Sequence, residues 1–116
     1  MGESGITHYH LRMPNLRVQI VRFVDEEPQP GIVESRFRDA HGVIHTIIDK
    51  VPIFTTAALW SDSEYPQPGI ARCEVLERLL SPQGDPVARV SIAHPDGLEA
   101  VTGQTEFVMP EPDVSL

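Results

Sequence analysis

The sequence predicts an all-β protein, a small antiparallel β-barrel with a β-sandwich as the alternative, and three features carry that prediction. Apolar residues alternate with polar ones over several short stretches, which is the period of a half-buried strand. Clusters of Gly, Pro, Asp and Ser separate these stretches and are typical of turns. Eleven prolines in 116 residues interrupt any long helix. We therefore expect at most one short helical turn.

A pentapeptide, Pro-Gln-Pro-Gly-Ile, occurs at Pro28 to Ile32 and again at Pro66 to Ile70. Proline fixes one backbone angle and glycine permits turns closed to other residues, so both copies are expected to form rigid loops. We interpret the repeat as one hairpin unit used twice. Two related hairpins can close on each other and remove exposed strand edges, which favours the barrel. The structural loop residues are Pro28, Pro30, Gly31, Pro66, Pro68 and Gly69.

The chain is divided into a flexible leader (1–15), one β-domain (16–109) and a flexible tail (110–116), because both ends are polar and aperiodic. Strand alternation begins at Leu16 and changes parity after Ile20. A β-bulge near Ile20 and Val21, or a strand end buried on both faces, explains that change.

Two hairpins follow, one after each copy of the repeat. The first has alternating residues up to Phe37, a turn over 39–42 and a return strand over 43–48. The second places Cys73 on the inward parity and turns over 81–86 into a strand at 87–92. Further strands are predicted at 98–101 and 104–109.

The segment between the two hairpins is predicted to have two parts. Val51 to Phe54 is expected to be a short extended piece at a sheet edge, because Pro52 would weaken a central strand. Thr55 or Thr56 is expected to cap a single helical turn that ends at Trp60, because a threonine hydroxyl can accept free amide hydrogens.

The excess of acidic over basic residues limits the classes of partner that the protein could bind. Seventeen acidic and nine basic residues give a formal charge of −8, and no stretch concentrates Lys or Arg as phosphate binding requires. Nucleic acid and membranes are therefore not expected as partners. The surplus suits a basic partner, a cation or simple solubility. A single cysteine and the lack of a signal-like or spanning apolar stretch indicate a cytoplasmic protein.

Acidic residues precede both copies of the repeat. If the two loops lie at one rim, these residues form a negative surface able to meet a basic protein or a hard cation, and otherwise the loops only begin strands. Trp60 and Tyr65 lie beside the second loop, and such aromatics favour an interface, although a single tryptophan is also expected in the core or at the closure of a barrel end. The partner-binding candidates are Asp25, Glu26, Glu27, Asp62, Glu64, Trp60 and Tyr65.

Histidines and aspartates give an alternative, a small metal-binding protein or metal-dependent enzyme. His8 and His10 alternate in the leader, and His41 and His45 flank the first hairpin turn near Asp39. Asp49 and His94 complete the set. Neither acidic run has calcium-loop spacing and no nucleophile or phosphate-binding motif is present, so no catalytic residue, metal ligand or cofactor is assigned.

Three runs carry a resemblance to a known group of proteins. Pro-Gln-Pro-Gly-Ile at 28–32, Asp-Ala-His-Gly at 39–42 and Ile-Asp-Lys-Val-Pro-Ile-Phe at 48–54 resemble small single-domain bacterial proteins of unassigned function, over roughly Val18 to Phe107. In architecture the chain is also similar to the β-barrel second domain of translation elongation factors. Neither resemblance implies a catalytic residue.

Together these observations predict a non-catalytic interaction module that binds another protein through its acidic loops and the stretch from Trp60 to Tyr65. An inhibitor of a basic enzyme, of the immunity-protein type, is one concrete version. Self-association through an exposed edge at Val51 to Phe54 is a third hypothesis, and the oligomeric state stays open.

Overall fold

The computed structural model describes residues 13–115. They form eight strands, one helical turn and one 3-10 turn, so the all-β prediction is confirmed. None of the helices in these residues has the length and apolar character that a membrane span requires. The elements are β1 (Asn15–Asp25), β2 (Ile32–Arg38), β3 (Ile44–Lys50), α1 (Val51–Phe54), β4 (Gln67–Arg72), β5 (Glu74–Leu80), β6 (Pro86–Ser91), β7 (Glu106–Pro110), the 3-10 turn (Glu111–Asp113) and β8 (Val114–Ser115).

The strands form two antiparallel sheets. The first has the order β3-β2-β1-β4, with β8 paired to the start of β1, and the second has the order β5-β6-β7. Single backbone hydrogen bonds link the sheets, from the Ala40 N–H to the Val108 carbonyl (2.8 Å) and from the Val101 N–H to the Thr46 carbonyl (2.8 Å). The sheets do not close into one continuous hydrogen-bonded cylinder, so the structure shows antiparallel sheets and not the predicted closed barrel.

The expected irregularity in the first strand is a β-bulge. Ile20 lies opposite Ser35 and Arg22 lies opposite Glu34, which leaves Val21 as the extra residue. The bulge returns the apolar side chain of Phe23, opposite Val33, to the core side of β1. The prediction of a bulge at this point is confirmed.

Both predicted hairpins are present, and β1 separates the two copies of the repeat. β2 pairs with one side of β1 and β4 with the other. The first copy forms the loop before β2, whereas the second lies mostly within β4, with Pro68 opposite Gln19. The chain then leaves the first sheet at Cys73, so the second hairpin, β5–β6, belongs to the other sheet.

Local chemistry is the same in both copies despite this difference. The Gln29 side-chain amide donates to the Glu26 carbonyl (3.1 Å), and the Gln67 amide donates to the Glu64 carbonyl (2.8 Å). In each copy the glutamine side chain thus bonds back to a glutamate that lies two residues before the first proline of the repeat. The structural repeat is therefore longer than the pentapeptide and includes one of the acidic residues.

The prediction of an extended edge at Val51–Phe54 is wrong, because these residues form the single-turn helix α1. Proline is favoured in the first turn of a helix, and the helical spacing brings Val51 and Phe54 to one buried side. Thr55 ends the helix instead of beginning one. The edge proposed for self-association is therefore not formed.

Two further boundaries differ from expectation. Residues 98–101 do not form a strand: the Ala100 N–H donates to the Gln104 carbonyl in a local turn, and the Val101 N–H donates to the Thr46 carbonyl in β3. Paired structure also continues past the expected boundary at Met109, since β8 pairs with Asn15 and Leu16. The expected leader lies outside the described residues up to position 12.

One core lies between the sheets. It includes residues from both sheets and from α1, and burying one such aliphatic or aromatic side chain contributes about 1.5–3 kcal/mol. Cys73 lies in this core as predicted. The fully buried large side chains include Phe54, Leu16, Ile20, Ile47, Ile92, Leu98 and Met109.

Candidate functional site

Trp60 is exposed on a loop whose backbone is held in place. Its side chain is 62% exposed, while the preceding Leu59 is 3% exposed and packs in the core. The Trp60 N–H donates to the Ser63 hydroxyl (2.9 Å) and the Trp60 carbonyl accepts from the Tyr65 hydroxyl (2.6 Å). The chain therefore displays an indole ring from a fixed position.

The indole borders two hollows that it shares with the first repeat loop. One has a volume of about 500 Å³ and extends over Val51, Pro52 and the stretch from Thr55 to Trp60. The other has a volume of about 150 Å³ and lies against Phe23 and Glu26. We call the Trp60 surface the patch formed by Glu26, Gln29, Pro30, Pro52, Thr56 and Trp60.

Packing around Gly31 places the first loop beside this surface. Gly31 has a φ of +119°, and a Cβ atom there would lie 2.6 Å from Cζ of Phe23. The Gly31 carbonyl also accepts the N–H of Val51, at the start of α1 (3.0 Å). Glycine at this position therefore lets the first loop pack closely against Phe23 and against the start of the helix that leads to Trp60.

The predicted partner-binding carboxylates are all exposed. Within residues 13–115 none of them forms an ion pair, whereas Glu34 binds both Arg22 (2.7 Å) and Arg36 (2.7 Å). Glu26 lines a hollow with Trp60, and Asp62 and Glu64 follow Trp60 along the same loop. The five residues are Asp25, Glu26, Glu27, Asp62 and Glu64.

Tyr65 is the half-buried anchor of the Trp60 loop. Burial raises the pKa of its hydroxyl, and the charge of Asp62 adds to this while a hydrogen bond with Ser63 opposes it. The hydroxyl therefore stays protonated at neutral pH and keeps its donor for the Trp60 carbonyl. Sequence analysis placed Tyr65 in the partner surface but did not predict this anchoring bond.

The second copy of the repeat lines a different groove. Pro68, Gly69 and Ile70 face Ile53 and Phe54 across a hollow of about 470 Å³, which ends at the ion pair of Arg72 and Asp96 (2.6 Å). A Cβ atom at Gly69 would lie 3.0 Å from the Phe54 carbonyl oxygen, so this glycine provides space for α1. Pro66 is exposed where the Trp60 loop enters β4.

Asp39 and His45 form a buried pair that supports the first hairpin. Nε2 of His45 lies 2.8 Å from Oδ2 of Asp39, while Oδ1 of Asp39 accepts the backbone N–H groups of His41 and Val43. Burial alone would raise the pKa of Asp39, but the bonds from His45 and from the turn outweigh it and lower that pKa. Both carboxylate oxygens are thus engaged in holding the turn.

The other residues of the metal hypothesis are dispersed. No group of three or more His, Cys, Asp and Glu side chains suited to a metal occurs within the described part of the chain, and His8 and His10 lie outside it. Oδ1 of Asp49 accepts the Lys50 N–H (2.7 Å), and His94 is exposed. Burial raises the pKa of the Cys73 thiol to about 11, which leaves it protonated and unreactive.

Comparisons of the chain with protein-family models, with curated proteins and with solved structures find no match. The Trp60 surface is therefore the feature of the molecule from which a function can be inferred. Sequence analysis did not identify Gln29 or Pro52 as part of that surface. In the sequence, Gln29 is marked only by its place in the repeat, and Pro52 only as a proline that precedes the Trp60 loop. Both features are also typical of ordinary turns.

Proposed function

We propose that this chain is a non-catalytic protein-interaction module that binds a basic protein through the Trp60 surface and the acidic residues around it. The observation that carries the proposal is the exposed Trp60 side chain, which borders two hollows and whose backbone is held by Tyr65. Tryptophan is enriched among the residues that dominate binding energy at interfaces.

The charge around Trp60 supports a basic partner. Asp25, Glu26 and Glu27 form no ion pair with a residue of the described part of the chain, and neither do Asp62 and Glu64. Their negative potential would speed the encounter with a positive surface and would be weakened by salt. One concrete version is an inhibitor that covers a basic enzyme, as immunity proteins do with toxins. Neither a general basic partner nor a basic enzyme as target requires the two sheets to close into a barrel.

A capture experiment tests this function. The wild-type protein and the triple variant Glu26→Lys, Glu27→Lys, Glu64→Lys are immobilised, and bound proteins from a lysate are quantified at low and high salt. A matched control carries Glu74→Lys, Asp85→Lys and Glu99→Lys, which reverse exposed charges elsewhere. Circular dichroism checks that all three proteins are folded.

The proposal predicts a stoichiometric basic partner that the wild type and the control retain and that the triple variant loses. High salt should release it, because exposed charges are screened within about 10 Å at 0.1 M salt. A partner that binds the triple variant as well as the wild type would refute the role of the acidic residues. Capture of nothing above background by the wild type would contradict the function itself.

A further inference from the structure

We infer that the Trp60 surface accepts a proline-rich, arginine-bearing segment in the polyproline II conformation. This inference rests on the proposed function and specifies the chemistry of the partner. It follows from the residues that line the two hollows, from the hydrogen-bonding state of Trp60 and from the local charge.

The lining of the surface disfavours an added β-strand. Main-chain pairing with a partner strand requires an unpaired strand edge. Apart from Phe23, the lining residues belong to α1, to the first repeat loop and to the stretch from Thr55 to Ser61. A partner must therefore dock by its side chains and by isolated hydrogen bonds.

Polyproline II segments bind in this manner. Such a helix has no internal hydrogen bonds, and residues three apart lie on one ridge about 9 Å from each other. Aromatic side chains line the grooves that accept these ridges. The Trp60 ring, with Gln29 and Pro30, borders both hollows, so two successive ridge residues could lie on either side of the ring.

Trp60 also offers a hydrogen-bond donor. Its backbone N–H and carbonyl are engaged by Ser63 and Tyr65, but its indole Nε1–H has no acceptor within residues 13–115. Polyproline II leaves every carbonyl free, so such a segment supplies acceptors without losing bonds of its own.

Charge complementarity selects arginine as the companion of proline. Glu26 lies in the smaller hollow, and Asp25 and Glu27 flank it along the chain. A guanidinium group can bind a carboxylate through two bonds and can also stack on an indole face. A segment with both residue types would occupy the hollows and neutralise this part of the acidic surface.

A fluorescence titration tests the inference, because Trp60 is the single tryptophan of the chain. Short peptides without tryptophan serve as probes: repeats of Arg-Pro-Pro, Arg-Ala-Ala and Glu-Pro-Pro. We expect saturable binding of the Arg-Pro-Pro peptide with a blue shift of Trp60 emission. Arg-Ala-Ala should bind at least about tenfold more weakly, because it lacks the preformed conformation.

Variants separate this inference from the proposed function. Glu26→Lys with Glu27→Lys should weaken Arg-Pro-Pro binding by about tenfold or more, and the control Glu74→Lys with Glu99→Lys should leave it unchanged. Equal binding of Arg-Ala-Ala and Arg-Pro-Pro would overturn the polyproline inference and leave a basic partner in place. Equal binding of Glu-Pro-Pro would overturn both. No response to Arg-Pro-Pro would overturn the inference alone, since the lysate capture tests the function independently.

Discussion

The Tyr65 hydroxyl donates a hydrogen bond of 2.6 Å to the carbonyl oxygen of Trp60. This bond spans the loop that carries Asp62 and Glu64 and closes it at its two aromatic residues. It fixes the backbone of Trp60 while the indole ring stays exposed. A backbone that is already held in place loses little conformational entropy on binding, which favours affinity.

Tyr65→Phe is expected to loosen the Trp60 loop and leave the rest of the fold in place. Loss of one partly exposed hydrogen bond should lower the free energy of unfolding by about 0.5–1.5 kcal/mol. Partner affinity should fall by about twofold to tenfold, because the loop must then be ordered on binding. Urea unfolding and acrylamide quenching of Trp60 measure the two effects. Unchanged affinity despite the loss of stability would show that the bond does not prepare the ring for binding.

Gly31→Ala is expected to lower the free energy of unfolding by more than the cost of placing alanine at a positive φ. A non-glycine residue in the left-handed region costs about 1–2 kcal/mol, and at Gly31 the new methyl group would also overlap Phe23. Gly84→Ala is the matched control, because Gly84 has a φ of +88° and no neighbouring atom within 4 Å of its Cβ position. Urea unfolding compares the two variants, and equal costs would refute the steric role of Phe23.

Asp39→Asn is expected to destabilise the protein at neutral pH and less at acid pH. The lowered pKa of Asp39 means that its charged form is stabilised in the folded state. That stabilisation is complete above the ordinary value of 3.8 and is lost as the pH falls through the lowered folded pKa. Urea unfolding at pH 6 should show a loss of about 1–3 kcal/mol.

The pH series has a matched control in Asp85→Asn, an exposed turn residue of the second hairpin. The difference between wild type and Asp39→Asn should narrow below pH 3.8, whereas Asp85→Asn should follow the wild type throughout. A constant difference from pH 6 to pH 3 would show that the charge of Asp39 does not stabilise the hairpin.

Ser35→Ala is expected to leave the fold unchanged and to stabilise it slightly. The Ser35 side chain is fully buried, and its hydroxyl has no hydrogen-bond partner within the described residues. Removing an unpaired buried hydroxyl should raise the free energy of unfolding by up to about 1 kcal/mol. Thermal unfolding measures the change, and a clear loss of stability would reveal a partner for this hydroxyl.

Strand positions could be predicted from the sequence because period-two alternation reports directly on burial in a sheet. The parity change after Ile20 even located the bulge at Val21. Four residues at Val51–Phe54 were ambiguous, since Val51 and Phe54 can share a buried side in a helix and proline fits a first helical turn as well as an edge. The departure of the chain from the first sheet at Cys73 depends on tertiary packing and has no local signal.

The sequence predicts several residues of the candidate site, but it does not predict how the fold brings them together. The exposure of Glu26 and Glu27 follows from their position before a proline-rich turn, whereas the sequence leaves Trp60 either at an interface or in the core, and the structure shows it exposed. The larger hollow that Trp60 shares with the first loop is lined partly by α1, which the sequence predicts as an extended edge. The Asp39–His45 pair likewise required the register that sets Phe37 opposite His45.

The most direct test of the central claim is the affinity of the captured partner for Trp60→Ala, measured by calorimetry beside the wild type and Leu80→Ala. Leu80 is 67% exposed on β5, in the other sheet, and serves as a control for losing an exposed apolar side chain. We predict that Trp60→Ala weakens binding by about thirtyfold or more, as expected for a residue that dominates an interface, and that Leu80→Ala binds as the wild type does. Binding of folded Trp60→Ala with wild-type affinity would contradict the claim that the Trp60 surface is the interaction site.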